Sequence, residues 1–151
     1  MRHVGHRVIA VPLDHIIDLR VKVLRQGTPV THCNYPEDAL TDVVHLAIDQ
    51  DGRAVATSTW FDKPCPHRPG APALQLKGMA VDTAVRTAGL GRALVDAGLV
   101  LARARGAHVV WARARDSAIG FYEKCGFAVV GDGFIDEPTA MAHHIVVRDL
   151  V

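Results

Sequence analysis

Apolar positions recur with two different periods along this chain, and the switches between them mark its elements. Val8 to Val11 reads as a short first strand. From Leu13 to Arg25, the residues Leu13, Ile16, Ile17 and Leu24 share a helical face, and Pro12 stands just ahead of it, where its fixed φ suits a helix start. The spacing predicts one helix over 13–25. Residues 26–42 are polar, carry Pro29 and Pro36, and predict a loop with at most a helical turn. Val43 to Asp49 alternates as a strand does. Gln50-Asp51-Gly52 follows as a hairpin turn, because Asp-Gly accepts the positive φ such turns require, and Arg53 to Phe61 is the return strand.

The second half has longer elements. Lys63 to Ala73 holds Pro64, Pro66, Pro69 and Pro72 and predicts a stiff surface loop. Leu74 to Val81 is an apolar strand with Gly78 inside it, the place for a bulge. Leu90 to Arg105 is the clearest amphipathic helix, and Val109 to Ala112 is a strand of the fully buried kind. Asp116 to Lys124 reads as a helix with Asp116 as N-cap and Gly126 as its stop. Phe127 to Val130 and His143 to Val147 are the last strands. Hairpins mixed with strand–helix–strand units predict an α/β protein with a mixed sheet and helices on its faces, in one domain over residues 1–151.

Composition removes several functions. The net charge is +1, so the basic stripe that neutralises nucleic-acid phosphates is missing. The nine histidines are scattered, without metal-ligand spacing, and the adjacent His143 and His144 would face opposite sides of a strand, so no metal is expected. Cys33, Cys65 and Cys125 form an odd set without close pairing, which points to a reduced, cytoplasmic protein. No signal peptide and no membrane-spanning apolar run is evident.

Candidate chemistry starts at Arg86-Thr87-Ala88-Gly89-Leu90-Gly91-Arg92, between a strand and a helix. The first N–H groups of a helix lack intrahelical partners and the helix dipole adds partial positive charge, so an anion fits there; glycine lets the backbone approach it. Arg86 and Arg92 bracket the turn, and a pyrophosphate is the natural guest. No Gly-Lys-Ser/Thr follows, which excludes a Walker loop, and Leu94 falls where a dinucleotide fingerprint needs a small residue.

The Arg-x-x-Gly-x-Gly pattern resembles the pyrophosphate loop of the GNAT superfamily of N-acetyltransferases. Downstream, Ala118, the pair Phe121-Tyr122, and Gly126-Phe127 are similar to that superfamily's second motif at its spacing. Leu19-Arg20, Val23-Leu24-Arg25, His45-Leu46, Leu74 to Val81, Trp111, Ala114-Arg115, Phe134, Pro138 and His143 look like a small bacterial branch of it. One departure stands at Arg115, where many members carry Asn.

The resemblance implies the acyl-CoA N-acyltransferase fold: a mostly antiparallel sheet of six to seven strands, splayed at the coenzyme A site, with helices on both faces. It implies acetyl-CoA as co-substrate. The loop Thr87 to Arg92 would hold the pyrophosphate, and Met79, Ala80 and Val81 would pair with the pantetheine amides. Arg115, Ser117, Phe121 and Tyr122 would lie against the cofactor, with Tyr122 as general acid to the departing sulfur. The acceptor it implies is a primary amine, small-molecule rather than a peptide N-terminus or lysine, and a homodimer stays open. Several relatives place a Glu on the strand before the glycine loop, but Gln75 and Lys77 stand there. His45 and His143 are the candidate bases by their titration range, followed by Asp38 and Asp42. The loops 26–42 and 63–73 are expected to frame the acceptor, with Arg25, Lys63, His67 and Arg68 as a hint of an anionic one. A non-catalytic acyl-CoA module, or a transferase of another acyl group, remains the alternative.

Overall fold

The computed structural model describes residues 6–85, 89–137 and 139–151. Its elements are β1 (Ile9–Val11), α1 (Ile17–Leu24), β2 (Val44–Gln50), β3 (Arg53–Asp62), β4 (Ala73–Val81), α2 (Leu90–Ala104), β5 (Val109–Arg115), α3 (Ile119–Lys124), β6 (Ala128–Asp136) and β7 (Met141–Asp149). The seven strands form one sheet in the order β1-β2-β3-β4-β5-β7-β6. Every neighbouring pair is antiparallel except β4 and β5. This is the mixed sheet that the element order predicts.

The two faces of the sheet are covered differently. On one, α2 buries Leu90, Leu94, Val95, Gly98, Leu99 and Ala102, spaced at helical period, against Leu46, Ile48, Trp60, Leu74, Leu76, Val110 and Val146. The helix α3 joins that cluster through Tyr122 and Cys125. The opposite face carries α1 over β3 and β4, and a second apolar cluster of Cys65, Val109, Trp111, Ile145 and Val147. The proline-rich loop closes that cluster, with the Trp111 Nε1–H donating to the Lys63 carbonyl at 2.9 Å.

Gly98 sets how closely α2 approaches the sheet. A Cβ there would stand 1.8 Å from Cζ2 of Trp60, a ring with no solvent exposure. Gly98→Ala is therefore expected to lower stability by about 2–3 kcal/mol despite its better helix propensity, because overpacking a filled core costs more than propensity returns. Denaturant melts check it; an unchanged midpoint would mean that the Trp60 ring can move aside.

Two local expectations are corrected. Residues 13–25 do not form one helix: Leu13–His15 is a 3-10 turn, Ile16 breaks the run at φ −121, and α1 starts at Ile17. His15 holds the first turn to β2 by a hydrogen bond to Asp49 at 2.8 Å. The buried face is then Ile16, Leu19 and Arg20 rather than Leu13, Ile17 and Leu24. Asp116 is not an N-cap, because its carboxylate takes the His144 imidazole at 2.7 Å and Arg115 precedes the short 3-10 turn instead. Gly126 does end α3, with the Gly126 N–H bonded to the Glu123 carbonyl and the Phe127 N–H to that of Tyr122. The last two strands run longer than predicted. A two-residue slip on β6, between Val130 and Phe134, lets one ladder continue past Gly131 and Gly133.

Candidate active site

The site opens where the sheet comes apart. β4 and β5 pair over Ala73–Leu76 and Val109–Ala112 and then diverge. Beyond that point β4 continues on β3 and β5 continues on β7 as far as Arg115↔His143. A bulge causes the divergence: Thr59 faces Lys77 and Thr57 faces Ala80, so Gly78 and Met79 together oppose one residue of β3. Gly78 takes φ +66, and a Cβ there would lie 3.1 Å from the Tyr35 ring. The bulge falls at the glycine within β4, and the segment from Lys77 to Val81 presents backbone groups to the gap without a ladder partner from β5.

Two adjacent clefts lie at this gap. The larger, about 440 Å³, is lined by Tyr35, Gln75, Gly78, Met79, Tyr122 and His143 among others. The second, about 380 Å³, runs over the start of α2 along Val81, Gly89, Leu90, Gly91 and Arg92 to Lys124. Phe121 lines both. Gly89, with φ +92, precedes the first turn of α2, and a Cβ on Gly91 would stand 3.0 Å from the Phe121 ring. These glycines keep open a groove edged by Arg92 and Lys124. Of the predicted pyrophosphate loop, Arg86, Thr87 and Ala88 lie outside the described residues, as does Pro138. Ala80 is buried without lining either cleft, and Ser117 is exposed away from both.

Tyr122 is 6 % exposed at the mouth of the gap, with its ring edge-on to Phe121 and Phe127 at 5.3 and 5.4 Å. Burial, then the neighbouring Cys125, pushes its phenol well above the usual range, so it remains protonated as a donor. His143, 5 % exposed, lines the cleft and stacks on Phe134 at 5.8 Å. Its Nδ1 lies 2.8 Å from the Met141 carbonyl. A carbonyl only accepts, so Nδ1 carries a proton, and in the neutral ring Nε2 is the nitrogen with the lone pair. His144, on the other face of β7, is taken by Asp116.

His45 is placed elsewhere. It is buried with Nδ1 2.8 Å from the Thr59 hydroxyl and 3.5 Å from Arg20, does not line the cleft, and is held below the ordinary imidazole range by burial and then by Arg20. Asp38 forms a two-point pair with Arg20, both contacts at 2.9 Å, and Asp42 accepts the Asp62 N–H. Of the two loops expected to frame the acceptor, 26–42 lines the larger cleft through His32, Asn34, Tyr35 and Pro36. The proline-rich loop does not, since it packs on the second apolar cluster. Lys63, His67 and Arg68 do not line the larger cleft, and Arg25 does.

Residues without a signal in the pattern complete the wall. Tyr35 lies between two cations, Arg20 and Lys77, each 4.4 Å from its ring centre. Arg113 pairs with Asp136 at 2.5 Å. Glu37 takes Lys77 at 3.2 Å and Lys63 at 3.1 Å. Tyr35 in Tyr35-Pro36-Glu37-Asp38 had one sequence cue, the turn-forming proline, and the structure completes it with the Asp38 carboxylate accepting the Tyr35 N–H at 2.8 Å. Among the described residues no cluster of metal-ligating side chains occurs, and no helix is long and apolar enough to cross a membrane.

A sheet splayed at a β4 bulge, with a glycine-lined helix start beside the gap and a tyrosine at its mouth, defines an acyltransferase that works on acyl-CoA. A model of the acetyltransferase (GNAT) family matches residues 16–127, and the chain belongs to that family. It is 27 % identical over 139 residues, 92 % of each chain, to a Bacillus subtilis protein described as uncharacterized N-acetyltransferase YitI. An acyl-CoA N-acyltransferase from Pseudomonas aeruginosa has the same fold, with TM-score 0.75 at 20 % identity over 95 % of this chain and 99 % of that one. So does Escherichia coli ElaA, with TM-score 0.74 at 17 % identity over 95 % and 99 %.

Proposed function

We propose that the protein transfers an acetyl group from acetyl-CoA directly to the primary amine of a small molecule. The observation that carries this reading is the gap between β4 and β5, with a glycine-lined helix start and a larger cleft beside it that share Phe121. The pyrophosphate would rest on the backbone from Gly89 to Arg92, at about 0.3–1 kcal/mol per charge–dipole contact. The pantetheine amides would add to the open edge of β4 at Met79 to Val81 as a further strand. That extension brings the thioester to the bulge, where backbone N–H groups polarise its carbonyl.

The chemistry balances with few groups. The substrate ammonium first passes one proton to His143 Nε2, directly or through water; the neutral amine nitrogen then attacks the thioester carbon, the C–S bond breaks, the second nitrogen proton leaves to water, and the thiolate departs beside Tyr122. Tyr122 has a task its burial limits. A thiol titrates near pH 8.5 and a free phenol near 10, and burial raises this phenol further. Full proton delivery to the thiolate is uphill, so Tyr122 acts chiefly as a hydrogen-bond donor to the charge developing on sulfur. His45 has no part in this scheme, because it lies outside the cleft.

Release of free CoA across a panel of amines tests the reading, with acyl-CoAs of increasing length as competitors. Turnover with acetyl-CoA and at least one amine is expected. Tight acetyl-CoA binding without CoA release for any amine would instead make the chain a binding module, and preference for a longer acyl group would replace the acetyl assignment. Tyr122→Phe should lower kcat by about 100-fold, the scale of one hydrogen bond to a developing charge, with acetyl-CoA affinity nearly unchanged. A wild-type rate in that variant, with chemistry limiting, would take Tyr122 out of the mechanism.

A further inference from the structure

We propose that the acceptor half of the cleft is built for a zwitterion, an amine that carries its own carboxylate, with Arg25 and Arg115 holding the carboxylate. This rests on the reading above that an amine enters here, and it names the class of amine.

The charges lining the cleft do not cancel. Lys77 is engaged by Glu37 and Arg113 by Asp136. Arg25 and Arg115 have no carboxylate in contact among the described residues; both instead direct a guanidinium nitrogen at one acceptor, the Leu24 carbonyl that ends α1. Arg25 spends its Nε–H on the His32 carbonyl at 3.1 Å, and both residues line the cleft. Burial, and then the charge of Arg25, holds Arg115 below its ordinary range, with Asp136 a lesser opposing influence. Two like charges converging on one neutral carbonyl repel each other, and a bound anion removes that repulsion while taking the free N–H groups.

The neighbouring wall asks for the opposite chemistry. Gln75 is 2 % exposed, lines the cleft, and its Oε1 has no hydrogen-bond partner. An orphaned buried acceptor of this kind is satisfied by a donor on the ligand. His143, with Nδ1 held by the Met141 carbonyl, leaves Nε2 for a ligand, and Glu137 lines the cleft without a cation partner among the described residues. An ammonium, losing a proton to become the nucleophile, fits this side.

Spacing joins the two ends. Arg115 and His143 are directly opposed across β5 and β7, and therefore share a face with side chains leaving the backbone about 5 Å apart. Their side chains enter the cleft from neighbouring positions, Arg115 bringing the cation and His143 the base, and an amine that carries a carboxylate spans both. The face is the one α1 covers, opposite α2, so the arginine pair is not an extension of the pyrophosphate groove.

Matched acceptors test this on the full chain: L-phenylalanine against phenethylamine, L-histidine against histamine, and phosphoethanolamine against ethanolamine. At least one amino acid should exceed its decarboxylated partner in kcat/KM by about 100-fold, the scale of a charge-assisted hydrogen-bonded pair, chiefly through KM. Arg115→Gln and Arg25→Gln should each shrink that ratio by raising KM for the amino acid, and Arg115→Lys should restore part of it. Equal use of both members of every pair overturns the zwitterion assignment and leaves amine transfer standing; preference for phosphoethanolamine alone overturns the carboxylate. If no amine is turned over, calorimetric titration of the same amino acids and their N-acetyl derivatives into the CoA-loaded protein decides. Binding that Arg115→Gln or Arg25→Gln abolishes sustains the arginine site, and no binding to the wild type overturns it.

Discussion

Asp38→Ala is expected to destabilise the fold by about 3–5 kcal/mol, as removal of one partner of a buried ion pair does. Arg20 has no solvent exposure, and Asp38 supplies both oxygens to its fork at 2.9 Å. Without that carboxylate the guanidinium keeps the Cys33 carbonyl and the Thr59 hydroxyl, both neutral, and its charge is left uncompensated inside the protein. The double variant Arg20→Met with Asp38→Leu should regain most of the loss, because an apolar pair of similar volume avoids the desolvation altogether. Urea melts of the wild type and the two variants check this; Asp38→Ala within about 1 kcal/mol of wild type would mean that water reaches Arg20.

Acid should act through the same pair. Burial alone would raise the Asp38 carboxyl, but the Arg20 fork and the Tyr35 N–H outweigh it and hold it below the ordinary range. A carboxyl depressed in the folded state contributes stability that is complete above its unfolded value, about 3.9, and is lost as pH falls from there through the folded value. The pair also reaches the cleft, because Arg20 stacks on Tyr35 and Tyr35 abuts the Gly78 bulge.

Gly91→Leu is expected to weaken CoA binding by about 100-fold or more, some 2.7 kcal/mol. A Cβ at this position already comes within 3.0 Å of the Phe121 ring, so a larger side chain must occupy the groove or displace the residue that lines both clefts. Arg92→Gln makes the milder companion. Its guanidinium is held by Asp96 at 3.3 Å and by the Lys124 carbonyl at 3.1 Å, so its loss should cost only about 0.3–1 kcal/mol of CoA affinity and leave the fold intact. Calorimetry reads both, with circular dichroism reporting folding. Wild-type affinity in a folded Gly91→Leu protein would remove the glycine groove from the cofactor site.

What the sequence disclosed follows from the range of its signals. The helix from Leu90, the Asp51-Gly52 turn and the bulge at Gly78 were all legible, because periodicity and glycine placement act within a few residues. Asp51 and Gly52 indeed take φ 54 and 80. Arg20 was not legible as a core residue. A helical-period reading counts apolar positions, and the partner that makes its charge tolerable lies 18 residues away in a loop. Asp116 carried a sound local N-cap signal that lost to His144, 28 residues on. The wall of the larger cleft was hidden for the same reason: Tyr35, Gln75, Arg115 and His143 come from four segments, and only the opening of β4 from β5 brings them to one cleft.

The most direct test is a crystal structure of the protein with acetyl-CoA bound. The account predicts the pyrophosphate on the backbone from Gly89 to Arg92, the pantetheine along Met79 to Val81 between β4 and β5, and the thioester sulfur within hydrogen-bond reach of the Tyr122 hydroxyl. A cofactor seated elsewhere, or one whose sulfur lies away from Tyr122 with β4 and β5 closed together, would contradict it.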